Sequence, residues 1–261
     1  MPVTHGNSLQ GRCILLSASV PDTERDHRFR QIDDAAFQIE QAVVSLARAV
    51  FSAGGRLVFG GHPSISPLVS IVAGEYRPPV RAESREERPP AQVIIYQSEI
   101  LRDVIPGDSR LLIDLGLAKA CWVPADPKER FVMGGGPLAE QCPQSLYEMR
   151  QRMIEDNSPI AMVCIGGMEG VLAEAALYAG HGPIFTLART GGAAALLAQE
   201  NPDVKAIDNE IMALLSDVDG GWSKDDAVAS HHRRFREGDI AVMPYPLIMQ
   251  TIVEQLLGEL S

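Results

Sequence analysis

Long apolar runs are missing from this chain. Mean hydropathy is +0.00, and no stretch approaches the roughly 20 apolar residues that cross a bilayer, so no membrane partner is expected. Basic residues are in deficit, with 23 Lys and Arg against 34 Asp and Glu and a formal net charge of −11. A broad nucleic-acid surface neutralises phosphates with Lys and Arg, so nucleic acid is not an expected partner; a small nucleotide needs only a few local donors and stays open. The 4 cysteines, Cys13, Cys121, Cys142 and Cys164, are scattered without a C-x-x-C pair. Neither a disulfide framework nor a zinc site is signalled, and no metal or cofactor is expected. Cys13 and Cys164 sit inside apolar runs, where free cysteine acts as a small hydrophobe. The opening M-P-V-T-H-G-N-S-L-Q has neither the basic nor the apolar region of a signal peptide, and a reducing cytoplasm is the expected compartment. Solenoid repeats and low-complexity tracts are absent too.

What the chain does have is a strand, glycine turn and helix start over residues 160–174, I-A-M-V-C-I-G-G-M-E-G-V-L-A-E. Residues 160–165 are apolar throughout, as in a strand buried on both faces. Gly166 and Gly167 then turn the chain, and Met168, Glu169, Gly170 and Val171 lead into a helical stretch over 171–179. Such a turn presents backbone N–H groups and the positive end of a helix dipole to an anion. It is equally the pattern of a tight strand-to-helix turn with no ligand. A second turn of the kind follows the short strand 56–59: Gly60, Gly61, His62, Pro63, Ser64, Ile65, Ser66. A third follows the strand 183–187, where Arg189, Thr190, Gly191 and Gly192 precede a helix over 193–199. Cys13 to Leu16 read as the first buried strand, ending in Ser17, Ala18 and Ser19; these hydroxyls serve either a phosphate or ribose or a plain turn. Several strand ends carrying glycine or serine predict one crevice at the ends of the strands, where open α/β sheets bind ligands.

The remaining elements follow the same alternation. A long helix runs to residue 53, with Asp33 or Asp34 at its N-cap and Ala36, Ile39, Val43, Leu46, Ala47 and Val50 on one face. A short helix to residue 73 takes Ser64 or Ser66 as its cap. Residues 77–90, dense in charge and bracketed by proline pairs, read as an exposed insertion. Strands follow at 92–96 and 120–123, with 108–117 helix or loop between them, then a helix over 143–156. After the third glycine turn come a short edge strand at 204–207, a helix over 209–217 and a C-terminal helix over 246–257. The prediction is a doubly wound α/β (Rossmann-like) parallel sheet flanked by helices. It forms a single domain over 1–261, with its core at 12–200 and a helical extension at 209–261.

Two of these turns carry a family resemblance. G-R-L-V-F-G-G-H-P-S-I-S-P-L resembles the second-strand motif of the Lonely Guy (LOG) phosphoribohydrolases, and I-G-G-M-E-G-V-L-A-E is similar to their P-G-G-x-G-T-x-x-E signature. Over roughly residues 12–200 the chain resembles the wider Smf/DprA–LOG (SLOG) superfamily, which includes nucleotide-sensing domains of bacterial defence proteins and the cytosolic domains of TRPM channels. The resemblance places Glu174 on the last glutamate of the signature and Arg150, in Y-E-M-R-Q-R-M, near the position of the LOG active-site arginine. Without it, Glu174 is a carboxylate favoured by the helix dipole and Arg150 a surface arginine. The departures are Ile165 for the signature proline, Val171 for the threonine, and the extra Glu169. Losing the hydroxyl removes a phosphate donor, and Glu169 repels dense negative charge while suiting a ribose diol. His62 stands where LOG enzymes carry another glycine, as a base-stacking or phosphate-bonding group or as a turn histidine.

The resulting expectation is a sensor of a nucleotide or NAD-derived molecule, of the ADP-ribose or cyclic ADP-ribose type, in a bacterial defence system. It would act as a homo-oligomer, with the C-terminal stripe Ile248, Ile252 and Leu256 packing either on the sheet or on a second subunit, and signal to a separate effector protein. The alternative is a LOG-like N-glycoside hydrolase with Arg150 and Glu174 as its catalytic pair. A DprA-like nucleic-acid protein is a third class, disfavoured by charge. The basic cluster His231, His232, Arg233, Arg234, Phe235 and Arg236 is either a charged helix face or a contact to the ligand's phosphates.

Overall fold

The computed structural model describes residues 8–76, 91–218 and 243–260. Seven strands, β1 (Cys13–Ser19), β2 (Arg56–Gly60), β3 (Val93–Ser98), β4 (Lys119–Val123), β5 (Ala161–Gly166), β6 (Ile184–Leu187) and β7 (Val204–Ala206), form one parallel sheet. Its order is β4-β3-β2-β1-β5-β6-β7. The chain winds outward from β1 to β4, then restarts on the other side of β1 with β5. This α/β sheet is the predicted Rossmann-like architecture, and its switch point lies between β1 and β5.

Helices cover both faces because the strands are apolar on both. Leu16, Phe59, Ile95, Val163 and Phe185 face one cluster, closed by α1 (Ala35–Ser52), α2 (Ser66–Glu75), α8 (Ile207–Val218) and α9 (Tyr245–Glu259). Leu15, Val58, Ile94, Met162 and Cys164 face the other, closed by α5 (Pro143–Asn157), α6 (Glu169–Tyr178) and α7 (Gly192–Glu200). Side chains alternate along each strand, so successive residues feed opposite layers. Cys13 and Cys164 are buried free thiols, and burial pushes both above the usual thiol range, Cys13 to about 12.

Some local expectations are met and others corrected. Asp34 occupies the N-cap of α1 in a left-handed conformation (φ 54), and its side chain makes no capping bond. The buried face of α1 includes Ala35, while Ala36 is exposed. Neither Ser64 nor Ser66 caps α2: the N-cap is Ile65, and the Ser66 hydroxyl instead accepts the His62 N–H at 3.0 Å. The span 108–117 contains α3 (Gly107–Asp114), and a 3-10 turn at Glu99–Val104 and a short α4 (Leu138–Gln141) carry no periodicity that would reveal them. Ile248, Ile252 and Leu256 are fully or almost fully buried inside this chain, with α9 packed on α1. Of the two expected roles for the stripe, the structure has it packed within the chain rather than on a second subunit. The insertion 77–90 and the basic cluster 231–236 lie outside the described residues. No helix among the described residues is long and apolar enough to cross a membrane.

Candidate functional site

A cleft of about 430 Å³ opens at the C-terminal ends of β1, β2 and β3, beside the start of α6. Its floor is built from Ser17 and Ser19 of β1, Gly60, Gly61 and His62 after β2, and Met168, Glu169, Gly170, Val171 and Glu174 at the start of α6. Arg150 enters from α5. Gly60 and Gly166 thus end strands that flank β1 on either side, so both turns adjoin the switch point.

Glu174 organises the floor. It is 8% exposed, and both of its oxygens are engaged. The Ser17 hydroxyl donates to Oε2 at 2.5 Å, and the Arg150 guanidinium lies 3.4 Å from Oε1. Burial pushes the Glu174 carboxyl above its usual range, while Arg150 and Ser17 act in the opposite direction. Gly170 makes the arrangement fit, since a Cβ there would stand 3.2 Å from Arg150 Nη2. The guanidinium consequently lies over the start of α6 as well as beside Glu174.

The α6 N-terminus faces the same space. Val171 donates its N–H back to Met168 O at 3.0 Å, and a helix leaves the N–H groups before that without intrahelical partners. Glu169 sits in this first turn and meets Arg25 across the mouth of the cleft, Nη2 to Oε2 3.5 Å. The His62 ring accepts the Ser64 N–H on Nδ1 at 3.3 Å, which leaves Nε2 to carry the proton of the neutral ring. Burial pushes the His62 pKa down.

Other residues expected at the site frame it from behind. Gly166 and Gly167 are buried with positive φ (58 and 87). The N–H of Gly166 goes to Thr190 Oγ1 at 2.8 Å and that of Gly167 to Ser19 O at 2.7 Å. The third turn does not line the cleft. Gly191, Gly192 and Ala193 donate to Ala188 O, Arg30 O and Gly167 O at 3.2, 2.9 and 2.9 Å, so these N–H groups are not open to an anion. Thr190 is fully buried, and its hydroxyl also donates to Leu187 O at 2.5 Å. Ser64 is exposed beside His62 and outside the lining. Conversely, Asp22, Arg25 and Gln97 line the cleft without having been singled out. Charge in a turn-rich segment carries no periodic signal. Only the strand end before Gln97 hinted that its side chain reaches the crevice.

The strand order and the switch-point cleft define a doubly wound α/β protein of Rossmann-like fold. A family model described as the SLOG cluster3 family matches residues 28–217, and the chain belongs to that family. Membership points to a nucleotide-related function. No curated protein and no solved structure matches the chain.

Proposed function

We propose that the cleft binds a nucleotide derivative of the ADP-ribose or cyclic ADP-ribose type, and that the protein acts as a sensor in a bacterial defence system, signalling to a separate effector. The observation that carries this reading is the Glu174 cluster. It offers a buried carboxylate and a serine hydroxyl for a ribose, with the Arg150 guanidinium and the α6 N-terminus beside them for phosphate. The volume of about 430 Å³ falls in the range of small-molecule sites, about 300–1,000 Å³.

Binding is favoured over turnover because glycoside cleavage needs a proton donor at the departing base and a carboxylate free to stabilise the sugar or activate water. His62, its pKa lowered by burial, is uncharged at neutral pH and is a poor acid for the departing base. Glu169 at the mouth is a half-exposed carboxylate facing Arg25. The hydrolase reading draws on one feature: Arg150 and Glu174, the pair the LOG resemblance singles out, are in contact.

Incubation with AMP, ADP-ribose and cyclic ADP-ribose, with calorimetry and chromatography of the products, tests both. Binding of an ADP-ribose-type ligand without release of base or ribose is expected. Multiple turnovers on AMP, abolished in Glu174→Gln, would replace the sensor with the hydrolase.

A further inference from the structure

The segment between β1 and α1 reaches over the cleft and is fixed at several points. Phe29 is fully buried, Arg28 lies over its ring at 5.2 Å, and Arg30 O accepts the Gly192 N–H at 2.9 Å. Asp22 Oδ1 accepts the N–H groups of Glu24 and Arg25 at 3.0 and 3.2 Å, which sets the direction in which Arg25 leaves the backbone. Arg25 then spans the mouth to Glu169, the first residue of α6. The two side chains retain 44% and 38% of their exposure and meet through one nitrogen and one oxygen, 3.5 Å apart. An exposed, single-contact pair of this kind adds little to folding and is screened by salt. The Arg150–Glu174 pair, at 15% and 11% exposure, is not exchangeable in the same way.

We propose that Arg25 is a ligand-binding residue, held by Glu169 in this structure and handed to a phosphate of the ligand on binding. The inference rests on the nucleotide reading of the cleft and concerns a residue that precedes the family-matched span. A phosphoryl group seated at the α6 N-terminus lies beside both members of the pair. It offers Arg25 a planar two-oxygen contact that a single oxygen at 3.5 Å does not, and it repels Glu169. Released from Arg25, the Glu169 carboxylate can accept hydrogens from hydroxyls next to that phosphate. The exchange therefore selects a ligand whose phosphates bridge two sugars, as in ADP-ribose. A terminal monophosphate such as that of AMP has a sugar on one side only and brings a denser charge to Glu169 on the other.

Calorimetry with ADP-ribose and AMP on wild type, Arg25→Met, Glu169→Gln, the double variant and Arg150→Met tests this, with urea curves to check folding. Arg25→Met should weaken ADP-ribose binding by about 10- to 100-fold, the range of a charge-assisted hydrogen bond. Glu169→Gln should tighten AMP severalfold and narrow the preference for ADP-ribose, and that gain should shrink when Arg25 is also Met. If Arg25→Met binds both ligands like wild type while Arg150→Met loses them, the cleft remains a nucleotide site and the exchange is wrong. Unchanged AMP affinity in Glu169→Gln also overturns it. A wild-type protein that binds neither ligand removes the nucleotide reading and this inference together.

Discussion

Arg150→Met deletes the charge opposite Glu174 while keeping most of the side chain's apolar length. The partners retain 15% and 11% exposure, so the remaining carboxylate is left largely buried without its cation. Breaking a buried pair from one side costs about 3–5 kcal/mol, and the 3.4 Å separation puts this pair near the lower end, about 3 kcal/mol. In a protein of this size that corresponds to a fall of about 6–12 °C in Tm. The loss should depend on pH. Burial already raises the Glu174 carboxyl, and Arg150 opposes that rise, so its removal lifts the folded-state value further. An acid raised on folding binds its proton more tightly in the native state. Its stabilisation is therefore complete below the unfolded value, about 4.3, and is lost as pH rises through the folded value. The variant's deficit against wild type should be smaller at about pH 4.5 than at about pH 7. Urea unfolding of both proteins across this range measures it, and comparison at each pH cancels carboxylates held below their usual range, such as Asp26, Glu75 and Glu129. Arg48→Met, which breaks an exposed pair with Glu75, is the control and should change little at either pH. A deficit for Arg150→Met no larger than the control's, or one that does not vary with pH, would refute the account of Glu174 as a buried carboxylate held by Arg150.

Other perturbations separate the frame of the site from its surface. Gly166→Ala should destabilise by about 2–3 kcal/mol in urea, because φ is +58 and the added Cβ would meet Ile39 Cδ1 at 2.6 Å and Ser19 O at 2.7 Å. Gly60→Ala should fold normally yet weaken nucleotide binding in calorimetry, since its Cβ has ordinary contacts of 3.5 Å to Met149 and 3.6 Å to Glu174 and enters the cleft. Thr190→Val should cost about 1–3 kcal/mol by urea titration, by leaving the buried Gly166 N–H without its acceptor. Asp208→Ala should cost at least as much by the same assay, because this fully buried carboxylate accepts the N–H groups of Ala188, Arg189 and Asn209.

Most strands were legible as apolar runs cut off by glycine, proline or small polar residues, the short β7 with Lys205 at its centre being the weakest signal, and helical periodicity marked α1, α5 and α9. Helix starts were less legible. Ser64 and Ser66 have the chemistry of a cap, but the path of the β2–α2 turn sends the Ser66 hydroxyl to His62 N instead. Of the three glycine turns, two reach the cleft and the third does not, although all share one local pattern. The difference lies in which backbone oxygens stand opposite the N–H groups. Arg30 O and Gly167 O come from segments far from Gly192 and Ala193 in sequence, so no local reading of Thr190, Gly191 and Gly192 separates a cradle from a brace. Arg25 was hidden for a related reason. Its meaning depends on a partner 144 residues away, whereas the i, i+3 and i, i+4 spacing of Leu146, Met149 and Met153 advertises its own burial.

A chain with net charge −11 must build an anion site locally, against its own long-range field. In this cleft each guanidinium is already opposed by a carboxylate, Arg150 by Glu174 and Arg25 by Glu169, and Asp22 adds a further acid at the mouth. Attraction from bare positive charge is therefore small, and selectivity has to come from geometry. The α6 N–H groups are directional and cannot be neutralised by counterions, so on the proposed reading they define where a phosphate would sit. The two carboxylates then penalise any negative group placed elsewhere and favour hydroxyls at those positions. Thr190 and the glycines of the third turn matter to this indirectly, because the Gly166 and Gly167 N–H bonds to Thr190 and Ser19 hold the start of α6 against the end of β1. Brace and cradle are thus successive layers of one structure, and the glycines that look alike in sequence divide the two tasks between them.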